Sequence, residues 1–562
     1  MKVNNIIYTP ISLWADFTIT EDFKESYISE FSCDNITYKN LYFSGRKIDK
    51  EEVRIYATIA IPLKNNGKVI VVSGEPSKFI NVDVLTMFAN MGYVVIMPDL
   101  YGLSEDNHFT IYPSVVSYAN YSVCKNQLLK VETSVKETCW YEWASVIRYC
   151  IGFAKNVLKA ERVGLYGIKT GADIAWTCID NNVDCFISLQ GAGWQIFNST
   201  RTYSDPYTFT DEQRKFVAGI EAESYAPYVK CPVLFLAPTN SIIFDSELAM
   251  DTLARLSKKS YCDFSPRMRY YLDSASLNSC KLFFEKHLCN KDINLYSSPE
   301  ITISVKDDVT TFSVEYDTVE DIESLEFYFS THVSEVFGRD WQLLSKEILF
   351  KYTIDTSKIS NSVSTFVRVK YKNGYTTSSP ITTKSLPELK NKKLINVLYS
   401  GRSQTHTFAC LKPLSVMGQD FFKEKEVGVE IKQGAFGLYG AYCKSGLINY
   451  SIGASSPHLN SSFMIKFDFY SEKYNNFTVS LLTCEGEDGV LKEYKISNSV
   501  KGARVWNNFC ESLVDFKDEN GKSITARLVF AHPEKTLTRE EVMGIVDSIV
   551  AELEKQNISL KK

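Results

Sequence analysis

Arg162-Val-Gly-Leu-Tyr-Gly-Ile-Lys-Thr-Gly-Ala-Asp-Ile-Ala175 decides what the first half of this chain folds into. Arg162–Tyr166 is a short, mostly apolar run of the kind found in strands covered on both faces. Ala172–Ile179 has the pattern of a helix. Between them Gly167-Ile-Lys-Thr-Gly171 has the spacing of the G-x-S-x-G nucleophile elbow. A turn this tight needs its flanking glycines, because side chains there collide with the neighbouring strand and helix. The central residue is pressed toward strained dihedrals that lift its side chain over the sheet. A serine at that point would be a nucleophile, and here the residue is Lys169.

Outward from the elbow, strand and helix patterns alternate through residues 1–290. Val53–Ile61 alternates with period two, and Val69–Val72 and Tyr93–Met97 are short apolar runs of the parallel-sheet type. Val82–Asn90 reads as a helix stopped before Gly92. Further strands are expected at Cys185–Leu189, Val233–Ala237 and Met268–Leu272, with helices at Tyr141–Leu158 and Ser246–Leu256. Such alternation predicts an open, mostly parallel, doubly wound sheet with helices on both faces.

Past residue 290 the pattern becomes all-β. Ile301–Val305, Thr311–Glu315, Leu325–Ser330 and Ser364–Lys370 alternate in short lengths, divided by turns such as Lys372-Asn-Gly374. Residues 291–385 are therefore expected to form a fibronectin-III-like sandwich. Pro380–Lys393, with Pro387 and a run of lysine and asparagine, reads as a linker. Val427–Ile431, Phe463–Phe469, Phe477–Leu482, Trp506 and Val514–Lys517 mark a second β block over 386–537, expected to be a jelly roll. Thr538-Arg-Glu-Glu541 is a capping box, and Val542, Ile545, Ile549 and Leu553 follow at helical spacing, so 538–562 is expected to be a helix.

Composition narrows the class. Over 562 residues, 44% hydrophobic and 23% charged content with a net charge of −5 are those of an ordinary globular protein. Lysine and arginine are scattered, so no nucleic-acid surface is expected. No apolar run approaches the ~18 residues of a membrane span, and the first twenty residues do not read as a signal peptide. The fourteen cysteines lie singly, several in apolar runs (Cys178, Cys185, Cys231, Cys410), as reduced thiols of a cytoplasmic protein do. With six dispersed histidines, no metal and no cofactor are expected.

Several segments, in order, resemble the acetyl-xylan-esterase and cephalosporin-C-deacetylase group of α/β-hydrolases, relatives of dienelactone hydrolase. They are Leu13–Phe17, Met97–Gly102, His108–Pro113, Trp140–Trp143, Gln213–Ala226 and Lys230–Leu236. The resemblance implies that a catalytic acid should follow the strand Val233–Ala237 and a histidine the last strand. The corresponding positions hold Ser241 and Tyr270, and no histidine lies between His108 and His287. The oxyanion region is Ser73-Gly-Glu-Pro76, where Glu75 adds negative charge and Pro76 lacks a backbone donor.

The expected function is thus a degenerate, non-hydrolytic member that binds, scaffolds or regulates. Its ligand class, by resemblance, is a carbohydrate or small acyl compound, and its partner an active homologue or a second copy. Two alternatives stay open. One is an active esterase or deacetylase with rearranged residues. The other is a lysine-dependent enzyme or an anion site built on Lys169, the N–H groups of Thr170 and Gly171, Ser73, Gly74 and Glu75. Asp245 and Glu247 fit helix capping better than a displaced acid. Tyr270, Tyr271 and Trp506 fit packing, and Cys178 burial.

Overall fold

The computed structural model describes residues 6–75, 80–102, 108–200, 209–241, 245–257, 260–306, 309–331, 336, 339–356, 362–385, 408–410, 429–444, 446–449, 464–485, 490–501 and 505–523. Nine strands form one mixed sheet: β1 (Ser26–Cys33), β2 (Ile36–Ile48), β3 (Glu51–Pro62), β4 (Lys68–Ser73), β5 (Val94–Pro98), β6 (Arg162–Ile168), β7 (Cys185–Leu189), β8 (Val233–Pro238) and β9 (Ser260–Ser265). Their order is β1-β2-β3-β5-β4-β6-β7-β8-β9. β4 to β9 run parallel, and β1, β2 and β3 form an antiparallel flank joined to β5. Val69, Val71, Leu165, Phe186 and Phe235 pack into one layer, and Ile70, Val72, Tyr166, Ile187 and Leu234 into another. Burial on both faces is why these strands read as unbroken apolar runs.

The helix Val82–Asn90 stands where its pattern put it, capped by Asn81, whose Oδ1 accepts from Asp83 N at 3.0 Å. The long helix, Cys139–Asn156, starts earlier than its apolar pattern suggests because Thr138 caps it, accepting from Tyr141 N. The expected strand over Met268–Leu272 is a correction. The last strand of this sheet is β9, and residues 266–272 turn back beyond its end. Ser260-Tyr-Cys-Asp-Phe-Ser265 hid from a hydrophobicity reading because its Asp263 is fully buried, held by a cation from elsewhere in the chain.

The sandwich has two sheets. β10 (Glu300–Lys306), β11 (Val309–Glu315) and β14 (Lys351–Asp355) make one, in the order β10-β11-β14. β12 (Ile322–Thr331), β13 (Gln342–Ser345), β15 (Ser362–Tyr371) and β16 (Thr376–Ser378) make the other, in the order β13-β12-β15-β16. Part of the expected linker is in fact a strand: β17 (Thr382–Ser385) pairs with β15, and 386–393 lies outside the described residues. Its four polar residues carry no apolar face to announce a strand.

By contacts, Met1–Gln433 with Gly437–Pro457 form one compact unit, and Gly434–Phe436 with His458–Lys562 another. The first unit thus holds both the nine-stranded sheet and the sandwich. In the second, Met464–Ser471 pairs with Val505–Ser512 and Tyr474–Glu485 with Val490–Lys501, around Tyr494, Phe509 and Phe516. Trp506 is half-buried there, its indole donating to Ala435 O at 3.0 Å. The helix expected over 538–562 lies outside the described residues.

Candidate functional site

The parallel strands place their carboxyl ends on one edge, and the elbow stands at its middle. Lys169, at the turn between β6 and the helix Thr170–Trp176, has φ 52° and ψ −120°. That conformation is costly for a residue with a side chain and persists only where the surroundings enforce it. Here they do. Lys169 N donates to Leu189 O of β7 at 2.7 Å, and Lys169 O accepts from Ala172 N at 2.8 Å. The glycines are obligatory. A Cβ at Gly167 would lie 2.4 Å from Ala172 Cα, and one at Gly171 2.2 and 2.3 Å from the carbonyl oxygens of Gly74 and Ser73. The strand order, with β5 and β4 exchanged and β6 carrying the strained elbow, is diagnostic. The scaffold is that of an α/β-hydrolase.

No family model and no curated protein matches the chain. Among solved structures it is similar to an acetyl xylan esterase from Paenibacillus sp. R4 (11% identity, 50% of this chain and 92% of that one, TM-score 0.38). It is similar also to acetyl xylan esterase 1 from Thermoanaerobacterium sp. JW/SL YS485 (15% identity, 44% and 82%, TM-score 0.33). A third is an esterase from Pyrococcus furiosus (11% identity, 49% and 99%, TM-score 0.33).

Lys169 is answered directly. Its Nζ lies 2.8 Å from Glu75 Oε1, the two side chains 11% and 16% exposed. Glu75 follows β4, where Ser73 and Gly74 present carbonyl oxygens toward the start of the elbow helix, and Tyr101 Oη donates to Gly74 O at 2.7 Å. Burial, then the charge of Glu75, hold the Tyr101 hydroxyl well above its ordinary range, so it stays a donor. The neighbourhood presents the acceptors Glu75 Oε1 and the carbonyl oxygens of Ser73 and Gly74. Pro76 lies outside the described residues.

The remaining sequence-derived positions scatter around this edge. Ser241 is buried beyond β8, next to Asn240, whose Nδ2 donates to Arg339 O of the sandwich at 2.7 Å. Tyr270 sits half-buried in the turn beyond β9, its carbonyl accepting from Gln190 Nε2 at 2.9 Å. Asp245 caps the helix Ser246–Ala254, accepting from Glu247 N and Leu248 N. Glu247 reaches the sandwich instead, pairing with Arg339 at 2.9 Å. Cys178 is buried, its thiol pushed up to about 12 by burial.

Neither described histidine stands by Lys169. His108 stacks on Tyr56 of β3, ring centroids 5.8 Å apart, three strand spacings from β6, or about 14 Å. His287 ends the helix Ser274–His287, and its carbonyl accepts from Arg162 at the opposite end of β6, about 20 Å away along a seven-residue strand. Burial, with Lys286 and Arg162 nearby, pushes His287 down to about 4, so it is neutral at physiological pH. His332, His406, His458 and His532 lie outside the described residues. Among the described residues no acidic, cysteine and histidine cluster could hold a metal, and no helix is long and apolar enough to cross a membrane.

Sequence reading missed two features beside the elbow. Gln190, at φ 56°, ties the turns beyond β7 and β9 together. Asp173, Glu221 and Glu223 are all buried against the turn beyond β7. The only local signal was an acid four residues past the elbow lysine, since the convergence joins segments about fifty residues apart.

Proposed function

We propose that this chain is a non-hydrolytic α/β-hydrolase that binds, scaffolds or regulates. The ion pair between Lys169 and Glu75 at the elbow carries the reading. An ammonium held by a carboxylate has no free lone pair with which to attack an acyl carbon. Ser241 and Tyr270, at the positions where the resemblance implies acid and base, supply neither a carboxylate nor an imidazole. Glu75 also argues against Lys169 as an anion site, since a ligand anion would first have to displace an internal one.

The ligand class that fits the resemblance is a carbohydrate or small acyl compound, and the partner an active homologue or a second copy, in the cytoplasm. The sandwich is read as fibronectin-III-like, supported by its division into a three-stranded sheet and a second sheet of four strands in line, plus β17. The block beyond it is read as a jelly roll.

The test is turnover of an aryl acetate and a panel of acetylated sugars by the purified full chain beside Lys169→Ala. No turnover by either protein is the expected result. Turnover abolished by Lys169→Ala would make the lysine catalytic and overturn the proposal; turnover unaffected by it would reveal another nucleophile and overturn it equally.

A further inference from the structure

Four consecutive backbone N–H groups beyond β7 are all bonded to carboxylates. Asp173 Oδ1 accepts from Gly193 N at 2.7 Å, and its Oδ2 from Gln195 Nε2 at 2.7 Å. Glu223 Oε2 accepts from Trp194 N at 3.1 Å. Glu221 accepts from Gln195 N at 3.1 Å and Ile196 N at 2.9 Å. The three acids are 4%, 3% and 2% exposed in that order, and among the described residues none is in an ion pair. Glu223 Oε1 is buried with no hydrogen-bond partner.

The charged groups facing this turn come from three elements. Asp173 is on the elbow helix, and Glu221 and Glu223 bracket the start of the helix Ala222–Tyr225. Arg255 and Asp251 belong to the helix Ser246–Ala254 and its end. Arg255 is committed elsewhere: it pairs with Asp251 at 2.6 Å, donates to the Glu223 backbone carbonyl and lies over the Trp194 ring. Three carboxyls in a dry site with no cation of their own cannot all ionise without strong mutual repulsion. Burial, the largest effect on each, pushes Glu221 up to about 7 and holds Asp173 and Glu223 well above their ordinary range.

The same turn touches the elbow. A Cβ at Gly191 would lie 2.4 Å from Lys169 O, and Trp176 Nε1 donates to Gly191 O at 3.1 Å. We propose that Gly191–Ile196 is a proton-operated latch beside the elbow, closed while the three carboxyls share at most one negative charge and released when a second of them ionises. With one charge, the four N–H groups and Gln195 Nε2 hold the acids against the turn. A second charge has no ion-pair partner, since Arg255 pairs with Asp251 and draws on Glu223 only weakly, and the turn relieves the repulsion by moving its donors and the acids apart. The latch does not depend on whether the elbow is catalytic.

Amide hydrogen exchange of the full chain tests this from pH 6 to 9.5, each rate divided by that of an unstructured peptide at the same pH. Protection of Trp194, Gln195 and Ile196 should fall tenfold or more between pH 7 and 9.5, while that of Ile187 and Phe235 on the sheet holds. Glu223→Gln keeps the acceptor for Trp194 N, and Asp173→Asn is accommodated by turning the Gln195 amide, so both should fold. Each should hold protection at pH 9.5 within about threefold of its value at pH 6. A wild-type profile flat with pH, or a fall of the same size in both variants, would overturn the latch.

Discussion

Lys169 holds two costs at one position, and they can be separated. Its backbone at φ 52° and ψ −120° is strained for any side chain, by about 1–3 kcal/mol. Its ammonium neutralises Glu75, which is only 16% exposed. Lys169→Ala keeps the strain and strands the carboxylate, so it should destabilise by about 1–3 kcal/mol, less than for a fully buried pair because some water remains. Lys169→Gly strands the same carboxylate but releases the strain. Urea unfolding should therefore find Lys169→Gly more stable than Lys169→Ala by about 1 kcal/mol. Equal stability would mean the turn is not strained. Lys169 was visible in the sequence because glycine spacing alone locates an elbow. Its partner was seen only as an ill-placed charge, because a contact between the end of β4 and the end of β6 is a matter of sheet order.

Among the elements, the turn beyond β7 ties stability to pH. Glu221 folds with its carboxyl raised to about 7 from an ordinary 4.5. Between those values the folded chain keeps a proton the unfolded chain has lost. The group's favourable contribution is complete below pH 4.5 and is lost as pH rises through 7, amounting to about 3 kcal/mol. Asp273 works in the opposite sense: burial opposes its ionisation, but Arg368 prevails and lowers it. Urea unfolding of the wild type and Glu221→Gln at pH 5, 6, 7 and 8 isolates the first effect. The variant's stability should decline less from pH 5 to 7; parallel profiles would show that Glu221 is not the group responsible. Elements themselves were legible where burial is two-sided and apolar, as in β4, β5, β7 and β8. They were not legible in β1, whose eight residues are all exposed, nor in β9, where a buried aspartate breaks the pattern.

At the scale of the whole molecule, Arg368 joins the sandwich to the hydrolase sheet. From β15 it donates to Asp263 of β9 at 2.7 and 2.8 Å and pairs with Asp273. Thr376, Ser378 and Ser276 complete the shell around Asp263. Nearby Arg339 pairs with Glu247, and Arg267 Nε donates to Trp341 O at 2.8 Å. Removing one partner of a buried pair leaves the other charge without compensation. Arg368→Ala should cost about 3–5 kcal/mol by chemical unfolding, and adding Asp263→Asn should recover a large part of it. A cost below about 1 kcal/mol would show that the weld is not energetic.

What the sequence determined by itself is local. Glycine spacing set the elbow, apolar runs set the central parallel strands, and alternation set the sandwich strands, because each signal is written within a few consecutive residues. The tertiary structure alone decided which charges meet: Lys169 with Glu75, three acids with one turn, Arg368 with two aspartates. Those pairings cross from 20 to 105 residues of chain, and a buried charge looks like any other charge until the fold removes its water.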